Sequence, residues 1–403
     1  MRVLIFTSNY PTGFGESYLN YEIPVLLKYY DCISIFSIEK KKEIQVGFQT
    51  IKDLVPVRFL SSSDYSRKIK IVDKVFIFKC LFMEFIHCKQ KMIFIKRFRQ
   101  LYAKMKQALL MAGELEGEIK GDDEILYSFW MNEWALALAI LKKKGVINSF
   151  VFRVNGYDIY DDRHEGNYLP FRYFIYSQCS KIFAVSKTAA DYIKKLGYFQ
   201  SKISFSYFGT PDFGFVEPKK RVEFVVFSCS SVIDVKRVDK IAQVILELDI
   251  PVKWVHHGEG PKMEQVNSIL KNAPENLTFI NTPNNENLEE LKTFERDLAA
   301  DVFINLSSTE GLPVTAIEAM SFGCTLLLND AGSSAELINS LTGILVDVNE
   351  SPASIAKKMK ELFISGQTYK NRTAIRNYWK NHFSDKENYG KFADQLRESY
   401  SQK

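Results

Sequence analysis

Residues 307–323 have the sequence SSTEGLPVTAIEAMSFG, and this stretch decides the fold. An apolar run that is typical of a buried strand ends just before it, near Leu306. Pro313 is placed to open a helix, because its fixed φ suits the first helical turn, and Gly323 is placed to end that helix. The stretch therefore predicts a strand, a short loop and a helix, the repeating unit of parallel α/β sheets.

The loop and the start of the predicted helix are suited to bind phosphate. Backbone N–H groups in a first helical turn have no intrahelical partner, and the helix dipole attracts anions to that end. Ligands bind at the carboxyl ends of parallel strands, so these groups would face the binding crevice. Glu318 lies one turn inside the helix, within reach of a sugar attached to the phosphates, and Glu310 stands in the loop. The predicted phosphate-binding segment is Gly311, Leu312, Pro313 and Val314.

Strands and helices are predicted to alternate along most of the chain. Short apolar runs such as Val3–Thr7 and Cys32–Ile38 are typical of buried parallel strands, and a helical stretch separates these two. Near residue 209 the pattern breaks in a stretch rich in Gly and Pro, and it restarts at Phe224. The sequence therefore predicts an α/β protein with two doubly wound halves. The predicted boundaries give a first domain over 1–208, a hinge over 209–222 and a second domain over 223–385.

Gly13 and Gly15 follow the first predicted strand, where the first helix begins. Glycine at this point lets the backbone approach a ligand, and the helix N-terminus favours an anion. The pair is only a fragment of the dinucleotide-binding G-x-G-x-x-G pattern, because position 18 is Tyr. A plain tight turn is the alternative interpretation.

Composition is that of a globular protein, because hydrophobic residues make up 46% of the 403 residues and charged residues 25%. Charge is uneven: between Arg67 and Lys106 there are 12 basic and two acidic residues, a local net charge of +10, interleaved with aromatic side chains. Such a segment suits an anionic membrane surface. A solvated charged face over core aromatics is the alternative. Nucleic acid is another, but no nucleic-acid-binding motif accompanies the charge.

Several classes of protein are disfavoured by the pattern of cysteine, histidine and apolar runs. Six cysteines without a C-x-x-C pair, and the neighbours His256 and His257 without a further ligand at metal spacing, indicate neither a disulfide framework nor a zinc site. The histidines are expected to be structural or to line the crevice. No run of 18 apolar residues occurs, and the apolar run at the start is too short for a signal peptide. These features favour a cytoplasmic protein.

With its surroundings, the 307–323 stretch resembles the retaining glycosyltransferases of family 4, also called group 1, whose signature is E-x₇-E within S-x-x-E-G-x-P and E-A-M-x-x-G. Further matching segments extend the resemblance over nearly the whole chain: Leu126–Trp130, Arg153–Asp158, Val185–Lys187, Val235–Asp239, Gly258–Pro261, Ala331–Glu336 and Trp379–Phe383. The resemblance implies a GT-B fold, in which two Rossmann-like domains face a central cleft. It also implies transfer of a sugar from a nucleotide donor, with retained anomeric configuration and no metal cofactor.

The resemblance also implies roles for individual residues. Lys236 would neutralise the donor diphosphate, Glu310 would hydrogen-bond the transferred sugar, and Glu318 would bind the donor ribose. Gly13 and Gly15 would let donor and acceptor meet at the cleft, and the helix after residue 386 would cross back to complete the first domain. The residues implied to be catalytic are Glu310, Lys236 and Asn155. The residues implied to bind the donor are Gly13, Gly15, Lys236, Arg237, Gly311, Leu312, Pro313, Val314 and Glu318.

Two positions depart from the family pattern. Members commonly have His where this chain has Asn155, which can donate a hydrogen bond but cannot carry a proton. Many members also have an Arg where this chain has Ser228–Ser231. One of two phosphate-binding cations is therefore missing or replaced, with Arg237 and Arg153 as candidates.

The expected function is transfer of a hexose or N-acetylhexosamine from a nucleotide sugar, uridine-linked, to a glycan or lipid-linked glycan during cell-surface polysaccharide synthesis. The expected location is the cytoplasm, at the inner face of the plasma membrane. Two alternatives from other classes remain open at this point: a nucleotide-binding scaffold without turnover, and a nucleotide-sugar epimerase.

Overall fold

The computed structural model describes residues 1–12, 16–38, 51–60, 69–121, 123–217, 221–282 and 288–401. The chain divides into two compact units, Met1–Tyr207 with Tyr389–Lys403, and Phe208–Asn388. The limits predicted from the sequence, 208 and 386, lie within three residues of these boundaries. Gly13 and Gly15, with which a donor contact was predicted, lie outside the described residues, as do Arg67 and Lys68 of the basic segment.

The first unit is built on a seven-stranded sheet in which all neighbouring strands are parallel. Its strand order is β3-β2-β1-β4-β5-β6-β7, so the chain moves outward from β1 and then returns to its other side at β4. Long apolar side chains from this sheet and its helices form one core. The strands are β1 (Arg2–Thr7), β2 (Cys32–Ser37), β3 (Val57–Phe59), β4 (Glu124–Ser128), β5 (Val151–Val154), β6 (Lys181–Ala184) and β7 (Ile203–Phe205).

Helices connect these strands, as parallel pairing requires. Most of the basic segment forms helices, and α2 is followed closely by α3 and α4. The helices are α1 (Leu19–Leu26), α2 (Ile71–His87), α3 (Lys91–Lys96), α4 (Phe98–Leu115), α5 (Glu133–Lys143), α6 (Gly156–Ile159), α7 (Arg172–Gln178) and α8 (Lys187–Lys194).

The second unit repeats the architecture with six parallel strands in the order β10-β9-β8-β11-β12-β13. The strand order reverses between β8 and β11, which is where parallel sheets of this kind bind ligands. The strands are β8 (Phe224–Cys229), β9 (Val252–His257), β10 (Leu277–Thr282), β11 (Val302–Asn305), β12 (Thr325–Asn329) and β13 (Gly343–Val346).

The helices of the second unit include the one predicted after the loop at Glu310. The described residues of the predicted hinge group with this unit. The final helix begins in the second unit and ends in the first. The helices are α9 (Val238–Leu246), α10 (Met263–Leu270), α11 (Leu288–Leu298), α12 (Val314–Ser321), α13 (Pro352–Ile364), α14 (Gln367–Lys370), α15 (Arg372–His382) and α16 (Asp385–Ser401).

Candidate functional site

A lysine and a glutamate meet at the carboxyl ends of the two strands between which the order of the second sheet reverses. Lys236 ends a short 3-10 turn after β8, and Glu310 lies in the loop after β11. The Lys236 Nζ and Glu310 Oε1 atoms are 2.7 Å apart, although 74 residues separate them in the chain. The lysine side chain is 27% exposed and the glutamate side chain 10%, so the pair is screened by protein yet reachable by a ligand.

Asn305, the last residue of β11, orients the Glu310 carboxylate. Its Nδ2 donates to Glu310 Oε1 at 3.1 Å, and its Oδ1 accepts from the Ser307 amide at 2.9 Å. Within the described part of the chain, both hydrogen bonds to this carboxylate therefore go to Oε1. Neither of these two bonds uses Oε2. Sequence analysis missed Asn305. The only feature of the sequence that could have indicated its role is its position at the end of a strand.

The loop that carries Glu310 packs against a glycine in the loop after β12. A Cβ added to Gly332 would lie 1.8 Å from the Glu310 carbonyl oxygen, and the φ of Gly332 is +60°. The next residue, Ser333, donates its amide to the Gly311 carbonyl at 3.1 Å. A side chain at position 332 would therefore have to displace the Glu310 loop.

The helix predicted from the 307–323 stretch forms as expected. Pro313 is the N-cap of α12, and Gly323, with a φ of +74°, follows its last turn. Leu312 and Val314 are buried beside the start of the helix. The Ala316 amide donates to the Pro313 carbonyl at 3.1 Å, and the first-turn amides before it have no intrahelical acceptor because of their position in the helix. Binding of phosphate by this segment stays a prediction.

Glu318 belongs to a buried ionic cluster that sequence analysis missed. Lys292 Nζ on α11 donates to Glu318 Oε2 and to Glu295 Oε2, each at 2.8 Å. The Lys292 side chain is 5% exposed, so the lysine holds the Glu318 carboxylate in place without contacting bulk solvent. Burial raises the pKa of Glu295. The available sequence signal was a Lys and a Glu three residues apart, the spacing that places two side chains on one face of a helix.

The two neighbouring histidines have separate roles. His256 is fully buried, and its Nδ1 lies 2.8 Å from Ser228 Oγ; burial lowers its pKa to about 4, which keeps the ring neutral. His257 Nδ1 lies 3.1 Å from Thr282 Oγ1, and burial, followed by the Lys292 charge, lowers the His257 pKa. His256 is thus structural, whereas His257 lies near the Glu318 cluster. Among the described residues, no group of three or more potential metal-binding side chains occurs.

Arg237 does not join the Lys236–Glu310 pair. Its backbone is left-handed, with a φ of +53°, and its Nη1 donates to the Val348 carbonyl at 2.8 Å. Lys240 Nζ donates to the same oxygen at 2.9 Å. The guanidinium is therefore occupied by the backbone, which weakens the expectation that Arg237 replaces the missing cation. Its contact with a donor stays a prediction.

Asn155, which lies in the first unit, caps a short helix. Its Oδ1 accepts from the Gly156 amide at 2.8 Å, and Asp158 Oδ2 accepts from the Asn155 amide at 3.2 Å. This reciprocal cap fixes the turn after β5. Burial, with a smaller contribution from the Glu16 charge, raises the pKa of Asp158 to about 7. The Asn155 side chain retains an N–H group that can donate a hydrogen bond, as expected, while its oxygen caps the helix.

A carboxylate of the protein already accepts hydrogen bonds from the backbone amides at the end of β1. Glu16 accepts from the Ser8, Asn9 and Tyr10 amides at 2.9, 2.7 and 2.8 Å. Three successive backbone donors of this kind form an anion site. Because the protein supplies the anion itself, these amides stabilise the loop instead of binding a ligand phosphate.

Arg153, the other candidate for the missing cation, lies in the core of the first unit. Its side chain is fully buried, and Nη1 pairs with Glu22 Oε2 at 2.5 Å. The guanidinium lies 4.0 Å from the centre of the Phe392 ring on the final helix. Arg153 is therefore structural, and the suggestion that it contacts a ligand is wrong.

One face of α2 is apolar and exposed. Large side chains recur there every three or four residues, while the opposite face packs on the core through Ile77, Cys80, Leu81 and Glu84. Exposed lysines flank this face, including Lys74 and Lys79. No helix in the described ranges is long and apolar enough to cross a membrane. We call the exposed residues the apolar stripe: Ile71, Val75, Phe78, Phe82, Phe85 and Ile86.

Part of the second unit is similar to a family of glycosyl transferases. Residues 211–382 match the family model described as glycosyl transferases group 1. Over 158 residues the chain is 29% identical to the O-antigen biosynthesis glycosyltransferase WbnH of Escherichia coli, covering 39% of this chain and 42% of that protein. A probable O-antigen biosynthesis glycosyltransferase of the same organism, WbiN, matches to the same extent. The chain therefore spans about two-fifths of the length of these relatives.

Solved structures share the fold over almost the full length. The Anabaena protein HepE in complex with UDP matches with a TM-score of 0.70 and 13% identity, over 99% of this chain and 100% of that one. The lipopolysaccharide outer core galactosyltransferase WaaB matches with a TM-score of 0.69 and 14% identity, over 99% of both chains. Likeness at this level of identity concerns the fold alone, and it confirms the predicted GT-B architecture of two Rossmann-like units.

Proposed function

We propose, from the match of residues 211–382 to the group 1 glycosyl transferases, that the chain is a glycosyltransferase acting in cell-surface polysaccharide synthesis. The observation that carries the proposal is the 2.7 Å pair of Lys236 Nζ and Glu310 Oε1 at the point of strand reversal. A cation for a leaving diphosphate and an acceptor for a sugar hydroxyl are thus adjacent. The O-antigen glycosyltransferases that match part of the chain support the same class of acceptor.

Each residue of the pair has a separate task in the proposed reaction. The bond from the anomeric carbon to the diphosphate breaks, a bond to the acceptor oxygen forms, and the acceptor hydroxyl gives its proton to the departing diphosphate. Lys236 stabilises the charge that develops on the departing diphosphate, and Glu310 Oε2 accepts a hydrogen bond from the transferred sugar. Glu318, held by Lys292, binds the donor ribose, and the Gly311–Val314 segment holds phosphate.

The finer features of the proposal follow from the resemblance to family 4. They are retention of anomeric configuration, catalysis without a metal, and a donor that carries hexose or N-acetylhexosamine. Uridine diphosphate is the proposed nucleotide because HepE, which has the same fold, was solved with UDP. A nucleotide-binding scaffold would bind the donor without transfer, and an epimerase would release an altered free sugar.

A thermal-shift panel of UDP, GDP, ADP and CMP tests donor binding. A nucleotide present at about 100 times its dissociation constant stabilises the folded state by ~2.7 kcal/mol, so UDP should raise the unfolding temperature clearly. Lys292→Met should weaken this shift, because Glu318 loses the cation that holds it, whereas Lys253→Met on β9 should not. If no nucleotide of the panel raises the unfolding temperature, or if only a nucleotide other than UDP does, the proposed donor is wrong.

We also propose that the protein attaches to the inner face of a membrane through the basic segment and the apolar stripe. The stripe supports hydrophobic insertion, with burial of each Phe contributing about 1.5–3 kcal/mol. Flanking lysines add about 1 kcal/mol each near anionic lipid. Lys91 is less suited to this role, because its Nζ donates to the Phe85 carbonyl and to the Ile86 carbonyl at the end of α2.

Removing the stripe should abolish attachment. Val75→Ser/Phe78→Ser/Phe82→Ser should weaken sedimentation with phosphatidylglycerol vesicles at least a hundredfold, because three inserting side chains are lost. The control replaces three exposed apolar residues elsewhere, Leu54→Ser/Val222→Ser/Ile364→Ser, and should bind as the unmodified protein does. Equal sedimentation of the two triple variants would contradict attachment through the stripe.

A further inference from the structure

A cavity of about 390 Å³ opens beside α2 in the first unit. Its walls come from α2, from the end of α5 and from α7. The volume falls within the roughly 300–1,000 Å³ range of small-molecule pockets. No residue of the proposed donor site lines this cavity, so the two sites are separate.

The lining combines an apolar interior with cations. Phe76, Met83 and Phe174 supply apolar surface, and the exposed lysines Lys79, Lys143 and Lys144 contribute to the lining. Lys144 is partly balanced by Asp73, whose Oδ1 lies 3.7 Å from its Nζ. Burial raises the pKa of Glu84 in the wall, and its Oε1 accepts from Tyr168 OH at 2.6 Å. An apolar group with a negative charge at one end therefore matches the lining.

The cavity lies beside the apolar stripe on α2, although no residue of the stripe lines it. Met83 and Lys79 both line the cavity and lie on α2, between the stripe and the buried face of that helix. Successive residues on a helix turn by about 100°, so positions 79 and 83 stand next to positions 82 and 86 of the stripe. A hydrocarbon chain that enters from a lipid surface covered by the stripe would thus pass Met83, with the Lys79 cation beside it, to reach the cavity.

We propose that this cavity binds the hydrocarbon chain of a single anionic lipid, with the lysines contacting its headgroup phosphate. The assignment rests on the proposed attachment to a lipid surface, which supplies the ligand. The lipid is recognised individually, at one site, in addition to the non-specific attraction of the basic segment. Both the chain and the charge are needed, because the apolar wall and the lysines each contribute to binding.

Native mass spectrometry with monomeric palmitoyl-lysophosphatidylglycerol tests the assignment without a membrane. The full chain should bind one molecule, whereas glycerol phosphate, which has no hydrocarbon chain, should not bind. Met83→Trp, which fills the cavity from its rim, should weaken binding at least tenfold, and Lys79→Gln/Lys143→Gln should reduce the preference over palmitoyl-lysophosphatidylcholine at least fivefold. Val75→Trp, on the stripe but outside the cavity, should bind as the unmodified protein does.

Failure of this proposal is distinguishable from failure of the proposed function. Absence of one-to-one lysolipid binding, or equal binding by Met83→Trp and Val75→Trp, would overturn the cavity assignment while the UDP shift persists. Binding by both glycerol phosphate and the lysolipid would also overturn it, because the headgroup alone would then suffice. The protein could also bind the lysolipid, lose that binding in Met83→Trp, and show no thermal shift with any nucleotide. This result would support the cavity assignment and overturn the donor proposal.

Discussion

Glu310→Ala should lower kcat for sugar transfer by about 10²–10³-fold, since loss of one preorganised charge-stabilising group typically costs that much. The variant removes the carboxylate that contacts the sugar. It also removes the partner of Lys236, whose Nζ lies 2.7 Å from Glu310 Oε1 in the unmodified protein. Steady-state rates with a nucleotide-sugar donor and a glycan acceptor measure the effect. UDP affinity should change less than kcat, because Glu318, proposed to bind the ribose, keeps its contact with Lys292.

An exposed glutamate of the same unit provides the matched control. Glu264→Ala, on the first turn of α10, should leave kcat within twofold. The combination Lys236→Met/Glu310→Ala should cost less than the sum of the two single effects, because the residues act as a unit. Near-normal transfer by Glu310→Ala would show that the carboxylate has no catalytic role.

Arg153→Leu should lower the free energy of unfolding by about 3–5 kcal/mol, because it leaves the Glu22 carboxylate buried without its cation. Both side chains are fully buried, so solvent cannot compensate. Loss of the contact between the guanidinium and the Phe392 ring adds to the effect. Urea unfolding followed by intrinsic fluorescence measures the change.

The double variant Arg153→Leu/Glu22→Leu separates charge from packing. Replacing both members of a buried pair by apolar residues is often nearly neutral, so the double variant should recover most of the stability lost by Arg153→Leu. A single variant that loses less than about 1 kcal/mol, or a double variant as unstable as the single one, would contradict the buried-pair account.

The long central strands could be predicted because parallel strands covered on both faces are almost continuously apolar. Val3–Thr7 was predicted, and Arg2–Thr7 is observed. Three short strands at or near the sheet edges were missed: Val57–Phe59, Ile203–Phe205 and Gly343–Val346. These short edge strands are only partly buried, so they lack the continuous apolar run that reveals a central strand, and their pairing depends on a neighbour already in place.

The candidate site was only partly predictable. The Lys236–Glu310 pair joins residues 74 apart, and the family resemblance, not local pattern, pointed to both. Lys292 and Asn305 were missed because their importance lies in which carboxylate they hold, which is a property of tertiary structure. Arg153 was misjudged for the same reason, since its partner Glu22 is 131 residues away and burial is not visible in sequence.

The final helix has a consequence for the order of assembly on the ribosome. Tyr389–Lys403 belongs to the first unit, where Ala393 accepts from Tyr30 and Phe392 covers Arg153. About 180 residues separate this segment from Tyr207, so synthesis at ~5–20 residues per second delays it by roughly 10–40 s. The half of the protein made first is therefore completed last, and its unfinished core waits for the closing helix while the other half folds.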